Sequence, residues 1–442
     1  MAKLIPQLLQ AALIYAVANL AHAKLSITPI ESALPLSADV QQSLEQHPLL
    51  MRSAAELDYA LALQQKFNIG DNPWTFNTGL QMRRADASNE QSSSSHSYEP
   101  SIGIEKQLRL PSKLNLDREL GQSVLNLAEL AYLDQWHEAS KLMLMQWFDY
   151  LTALSHVQRS QEQLQLIQQQ MDILTQRVRI GDVARLELML LSNQQQQVQA
   201  QLLQNQSQVQ HYQLILKRYF SGQLPSHFST DQIQLLDSRY SQQDWVDSVL
   251  NDNHELKLAQ RQAQHMHSLL QRQQLDKRPD PTVGLGYSQE QKGAEHLISL
   301  SLSIPLSTQQ VKVATKMAQA EAKKADIAAE QIKRRLIDET ILSYQQLQQT
   351  QQRIQHAQTL SSQLQNQHAL MNKAYKLGEI NLNELLLHSQ QLIESKSNLD
   401  QAKIDYAKNM AILLLNSHLI WTPTHLHDKG REYEQAQTQG QG

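Results

Sequence analysis

One motif in this chain occurs twice, and it limits the folds available. RIGDVARLELMLLSNQQ at 179–195 aligns with KLGEINLNELLLHSQQ at 376–391. Gly181 falls on Gly378, Asp182 on Glu379, Val183 on Ile380, Glu187 on Glu384, Leu188 on Leu385 and Ser192 on Ser389. Upstream, QHPLLMRSA at 46–54 aligns with NHELKLAQR at 253–261. Two copies of one unit therefore make up nearly the whole chain. The segments read as a signal peptide at 1–23, a first repeat at 24–220, a linker at 221–242, a second repeat at 243–417 and a C-terminal tail at 418–442.

Each copy reads as helix, two strands, long helix, glycine turn and helix. Tracts at about 112–220, 243–277 and 308–417 are rich in Leu, Gln, Glu, Lys and Ala and have few helix breakers. Leu164, Ile167, Met171, Leu174 and Val178 step by three and four, the spacing of a coiled-coil seam. From Pro111 to Gly181 is about 70 residues, or roughly 100 Å of helix at 1.5 Å per residue. Pro305 to Gly378 is about as long. The returning helices are shorter, at about 182–219 with 243–277 and about 380–416 with 39–67. The expected molecule is a rod with strands at one end and both glycine turns at the other. Segments 220–242 and 417–442 show no pattern and read as partly ordered and partner-facing.

The strands alternate. In copy one, a hairpin at about 74–110, Trp74, Phe76, Leu80 and Met82 alternate with Thr75, Asn77, Gly79 and Gln81. After a Ser-rich loop, Ile102, Ile104, Leu108 and Leu110 alternate with Ser101, Gly103, Glu105, Gln107 and Arg109, and Lys106 interrupts the apolar face. In copy two, a hairpin at about 282–306, Val283, Leu285 and Tyr287 alternate with Gly284, Gly286 and Ser288. Then HLISLSLSIPLS sets Ile298, Leu300, Leu302, Ile304 and Leu306 against Ser299, Ser301 and Ser303. Successive strand residues point to opposite faces, so each hairpin has one apolar and one polar side. Strands of about 9–11 residues have the length of a tilted transmembrane strand.

The apolar face has no helical partner in the sequence. Four strands cannot close a barrel, and an open sheet edge is not viable in a bilayer. A barrel shared between chains answers both difficulties. Three chains give twelve strands, with the apolar face toward lipid and the Ser, Gly and Gln face lining water. The expected fold class is therefore an α+β membrane protein. It combines a long α-helical coiled-coil barrel with four transmembrane β-strands per chain, in a trimer.

Composition narrows the function. A net charge of -4 does not favour nucleic acid as a partner. The absence of cysteine excludes thiolate zinc sites, cysteine nucleophiles, disulfides and Cys-linked lipid anchors. MAKLIPQLLQAALIYAVANLAHA, ending Ala21-His22-Ala23, reads as a secretory signal with its cleavage site. No later segment is apolar for the roughly 18 residues that a spanning helix needs. No Gly-x-Ser-x-Gly element or His/Asp frame marks a nucleophile, and Gly284-Leu285-Gly286 lies in a strand without the helix that a dinucleotide site requires. The sequence is read as a non-enzyme with no cofactor. Among 17 histidines, His265-x-His267 lies on a helix, where positions two apart do not face each other. His425-x-His427 lies in the tail, and neither pair is read as a metal site.

With the repeat, the paired hairpins, HPLLMRSA and the two glycine–acid turns in hand, the chain resembles the TolC-like outer-membrane efflux proteins over nearly its whole length. The resemblance implies a homotrimer in outer-membrane lipid, with its helical part in the periplasm. It also implies work as the exit duct of a tripartite pump with a periplasmic adaptor and an inner-membrane transporter of the RND or ABC type. QLRLPSKLNLDR at 107–118 looks like the strand-to-helix passage of the cation-efflux (CzcC-like) branch, with Pro-Ser-Lys-Leu where that branch has Pro-Gly-Lys-Arg. Carboxylates at the positions of Glu187 and Glu384 line the closed periplasmic aperture in such proteins, and rings of them favour cations in a narrow pore. Tyr375 matches a tyrosine of the closing contacts, and Asp182 and Glu379 are weaker gate candidates. The basic partner expected shortly after Gly378 is absent and Ile380 stands there, so the latch is different or weaker, or Arg185 supplies it. Adaptor tips are expected beside Gly181 and Gly378. Two rival readings are the outer-membrane duct of a type I protein secretion system and a soluble periplasmic coiled-coil adaptor.

Overall fold

The computed structural model describes residues 30–85, 95–235, 240–306 and 308–423. The signal-peptide reading, the Ser-rich loop and His425-x-His427 lie outside them. The helices are α1 (Ser37–Glu45), α2 (Pro48–Ile69), α3 (Pro111–Arg179), α4 (Arg185–Lys217), α5 (Gln242–Asp252), α6 (His254–Leu275), α7 (Thr308–Leu377) and α8 (Leu382–Asn416). The strands are β1 (Trp74–Ala85), β2 (Ser95–Gln107), β3 (Thr282–Glu290) and β4 (Glu295–Ser303). No described helix is long and apolar enough to cross a membrane, which says nothing of a β-barrel.

The two long helices have 69 and 70 residues. Pro111 opens α3 at the first helical position, where its missing N–H is not needed. Two expected helices are broken instead. The tract 39–67 divides between α1 and α2 at Gln46-His47, because Pro48 disfavours helical backbone in the residue before it. The tract 243–277 divides at Asn253, which is extended at φ -60° and ψ 124°. His47 and Asn253-His254 fall within the aligned upstream motifs, so both breaks sit at matching places.

The chain forms two compact units. One holds α1, α4, α5, α8 and the later parts of α3 and α7; the other holds α2, α6, the sheet and the earlier parts of α3 and α7. In the first unit, aromatic side chains of α3 anchor the stretch before α1 and the two segments that showed no pattern. Trp147 Nε1 donates to Ala33 O at 2.8 Å, Trp136 Nε1 to Trp421 O at 2.7 Å, and the Tyr150 hydroxyl to Pro225 O at 2.8 Å. Phe220, Phe228, Ile233, Ile420 and Trp421 are buried. The Thr230 hydroxyl donates to buried Asp400 at 2.6 Å, which also accepts from Arg159 Nε at 2.5 Å. The described parts of 220–242 and 417–442 are therefore docked on the helices. A few apolar and aromatic residues spread over an irregular stretch have no period to read.

In the second unit the strands form one antiparallel sheet in the order β1-β2-β3-β4. Its registers include Phe76↔Ile104, Ile104↔Leu285 and Leu285↔Leu300, so one row crosses all four strands on the apolar face. Where the strands meet the helices, six charges form one network, with Lys113, Asp117 and Asp280 buried and the other three half-buried. Arg109 and Arg272 bind Asp117 at 2.5 and 2.8 Å, Arg272 binds Asp276 at 2.7 Å, and Lys113 binds Asp276 and Asp280 at 3.1 and 3.2 Å. Burial disfavours the Asp276 carboxylate, but Arg272 and Lys113 outweigh it and hold its pKa below the ordinary value.

Candidate functional site

The two glycine turns are built alike. Gly181 (φ +79°) and Gly378 (φ +81°) take the left-handed conformation that ends a helix and suits glycine. Gly181 N–H donates to Val178 O and Asp182 N–H to Arg177 O, at 3.1 and 3.0 Å. Gly378 N–H donates to Tyr375 O and Glu379 N–H to Ala374 O, at 3.1 and 2.9 Å. This pair of bonds satisfies the last carbonyls of each long helix. Beneath the turns lies an apolar cluster containing Ile167 and Leu174 of α3, Leu191 and Val198 of α4, Tyr375 of α7 and Leu385 of α8. Leu164, Met171 and Val178 pack partly against it, so every residue of the predicted seam is used.

Beyond the turns the copies differ. In copy two, Asn381 caps α8: its side chain accepts from Glu384 N–H at 2.9 Å and donates to the Glu384 carboxylate at 3.1 Å. In copy one, Ala184 stands at the cap and offers no side-chain bond. Glu384 is thus engaged in its own helix start, and Glu187 lacks that tie. Glu379 is exposed.

Two of the five gate candidates, Asp182 and Tyr375, meet at one residue that sequence reasoning missed. Arg177 Nε binds Asp182 at 2.6 Å, and its guanidinium lies 5.0 Å from the centre of the Tyr375 ring. Within one chain, Arg177 is the basic group that lies against Tyr375. The Tyr375 side chain is buried, and its hydroxyl meets no hydrogen bond of ordinary geometry. Burial raises the pKa of this phenol; Arg177 opposes the shift, while Glu187 and Asp182 add to it. Arg177 could have been suspected from its place in the last turn of α3, where a cation suits the helix dipole.

The sheet is the second candidate surface. Trp74, Phe76, Leu80, Met82, Tyr98, Ile102, Ile104, Leu285, Tyr287, Ile298, Leu300 and Leu302 share its apolar face and are all exposed. Ile298 and Leu300 reach 80% and 79%. Taking each such side chain from water is worth ~1.5–3 kcal/mol. Twelve of them exceed the net stability of a typical domain, about 5–15 kcal/mol, so this face demands an apolar environment. The opposite face is polar and closely fitted. A Cβ on Gly284 would stand 2.4 Å from Ser301 Oγ and 2.8 Å from Glu105 Cγ. Arg83 there joins Glu99, at 3.1 Å, to Glu290 of the other hairpin. Lys106, the interruption in the apolar face, lies 4.9 Å from the centre of the Trp74 ring.

The helical histidines point to separate partners. His265 Nδ1 meets Ser123 Oγ at 2.9 Å, and His267 Nε2 lies 3.0 Å from Asp326. Among the described residues no group of three or more metal-ligating side chains is arranged to hold an ion.

No protein-family model matches this sequence, and no curated protein matches it. Solved structures do. The CmeC outer membrane channel of Campylobacter jejuni is 13% identical, with 91% of this chain and 89% of that one covered and a TM-score of 0.66. The outer membrane protein VceC of Vibrio cholerae is 15% identical, with coverages of 87% and 96% and a TM-score of 0.66. The open-state MtrE outer membrane channel of Neisseria gonorrhoeae is 12% identical, with coverages of 88% and 90% and a TM-score of 0.64. The chain therefore has the fold of outer-membrane channels, in agreement with the TolC-like resemblance in its sequence.

Proposed function

We propose that three copies of this chain form an outer-membrane channel, the passive exit duct of a tripartite efflux system. The observation that carries the reading is the sheet: an exposed apolar face, a polar face behind it, and two unpaired edge strands among the described residues, β1 and β4. A single such sheet is viable neither in water nor in lipid, because open edges leave backbone groups unsatisfied in a bilayer. Pairing β4 of one chain with β1 of the next closes twelve strands around a polar lumen. The helices then continue the duct into the periplasm. The twelve exposed apolar side chains weigh against the soluble-adaptor reading.

The duct closes where the glycine turns lie. Tyr375 and Asp182 gather around Arg177, Glu187 acts on Tyr375, and Glu384 and Glu379 lie on the second turn. An iris-like shift of the helices beyond Gly181 and Gly378 opens it. Ile180 and Leu377, 78% and 75% exposed beside the two glycines, offer a periplasmic adaptor its apolar contact. An inner-membrane transporter supplies the energy and selects the cargo. The cation-efflux branch rests on the QLRLPSKLNLDR passage alone.

Membrane fractionation and native mass test the reading. The expected result is a detergent-extracted trimer from the outer membrane that conducts ions in planar bilayers. A soluble periplasmic monomer would overturn it. In a strain lacking the gene, drug or metal sensitivity supports efflux, and loss of one secreted protein supports type I secretion instead.

A further inference from the structure

The strand-to-helix junction carries a cleft that the channel reading does not use. It has a volume of about 560 Å³ and lies where α2 ends, β2 ends and α3 begins. Leu63, Phe67, Leu108 and Leu114 make its apolar wall, and Lys66 and Lys106 stand at its rim. Its orientation follows from Lys106. That side chain lines the cleft and also lies over Trp74, which belongs to the exposed apolar face of the sheet. The cleft is therefore continuous with the face that the proposed channel turns to lipid. Leu108, two residues on from Lys106, is 48% exposed.

The charges fit one kind of occupant. Arg109 and Asp117, at the inner end, neutralise each other within the junction network. Lys66 is 62% exposed and among the described residues pairs with Asp71, itself 83% exposed, at 3.7 Å. Lys106 makes a ring contact, which leaves its ammonium hydrogens available. Two ammonium groups above an apolar cleft, beside an aromatic ring at the end of a transmembrane strand, match a phosphate over an acyl chain. Trp and basic residues favour this headgroup level.

We infer that this cleft binds a phospholipid, with the phosphate between Lys66 and Lys106 and one acyl chain against Leu63, Phe67, Leu108 and Leu114. The inference rests on the outer-membrane channel reading. Bound lipid would seal the junction between the lipid-facing sheet and the helices of each chain. It would also explain why a lysine interrupts an otherwise apolar strand face.

The test uses the intact protein extracted in mild detergent and incubated with phosphatidylglycerol, with native mass spectrometry counting retained lipids. One lipid per chain is expected to survive gentle activation. Lys66→Gln with Lys106→Gln is expected to weaken retention at least tenfold while the trimer mass stays unchanged. Leu108→Glu, which leaves both lysines in place, is expected to abolish it. Equal retention by the variants overturns the inference. So does protection of an Asp71→Cys thiol, which keeps both lysines, by inorganic phosphate as complete as by the lipid, because the site would then hold a free anion. A disulfide from that cysteine to a cysteine introduced in a neighbouring chain would assign the cleft to the subunit interface, also overturning it. A soluble monomer would fail the channel reading first; a lipid-free outer-membrane trimer would fail only this one.

Discussion

Replacing Lys113 with methionine tests how the strand-to-helix junction is held. Lys113 is 2% exposed and lies 3.1 Å from Asp276 and 3.2 Å from Asp280. Methionine keeps the buried stem and removes the charge, turning three bases against three acids into two against three. Removing one partner of a buried ion pair costs ~3–5 kcal/mol, since the remaining charge is left uncompensated. The lower end applies here. Asp280 keeps Arg109 at 3.4 Å and the Leu110 N–H at 3.1 Å, and Asp276 keeps Arg272 at 2.7 Å. A loss of ~3 kcal/mol speeds hydrogen exchange through local opening by about two orders of magnitude. The assay is exchange of the peptide spanning 108–118 in the assembled protein, followed by mass spectrometry. Adding Asp280→Asn restores the charge balance and is expected to recover most of the protection. Exchange within threefold of the parent in the single variant would refute the reasoning, as would a double variant no slower than the single.

Two further predictions concern the first unit. Glu187→Gln is expected to lower the cation preference of the isolated channel more than Glu384→Gln, because Asn381 already engages Glu384. Reversal potentials in planar bilayers check this, and equal effects would remove the distinction between the copies. His137 sets an acid limb. Burial, then the charge of Lys141, lowers its pKa from 6.5 to about 4 against an opposing hydrogen bond that the ring donates to Asn416. The folded state therefore binds fewer protons than the unfolded one. Stability is full above about pH 6.5, declines as pH falls toward 4 and levels off below, by an amount on the order of 3 kcal/mol. Unfolding midpoints at pH 7 and pH 4.5 should converge in His137→Leu; an unchanged acid limb would show that other groups set it.

Much of the site was visible in the residues themselves. The seam from Leu164 to Val178 had the helical period, and the glycines of both turns had to adopt left-handed angles. The acids beside those turns could also be read from the sequence. The relation among them was not visible. Asp182 is tied to Arg177 across the helix end, and that same guanidinium covers Tyr375, nearly two hundred positions away in the other copy. The aligned motif made Glu187 and Glu384 equivalent, yet Ala184 against Asn381 at the cap makes one tied and the other not.

The amino-acid sequence by itself determined the elements that depend on near neighbours. Period, alternation and breakers set two helices of about seventy residues, four amphipathic strands and two glycine turns. It also set the presence of an apolar sheet face, which no described part of the chain covers. Tertiary structure decided whatever joins distant positions. It brought Arg109, Lys113 and Asp117 to Arg272, Asp276 and Asp280. It docked residues 220–235 on α3 and α8 through Phe228, Thr230 and Ile233. A period in the chain reports only which residues share a face of one element; which faces meet, and which buried charges find partners there, depends on packing between elements that the chain visits far apart.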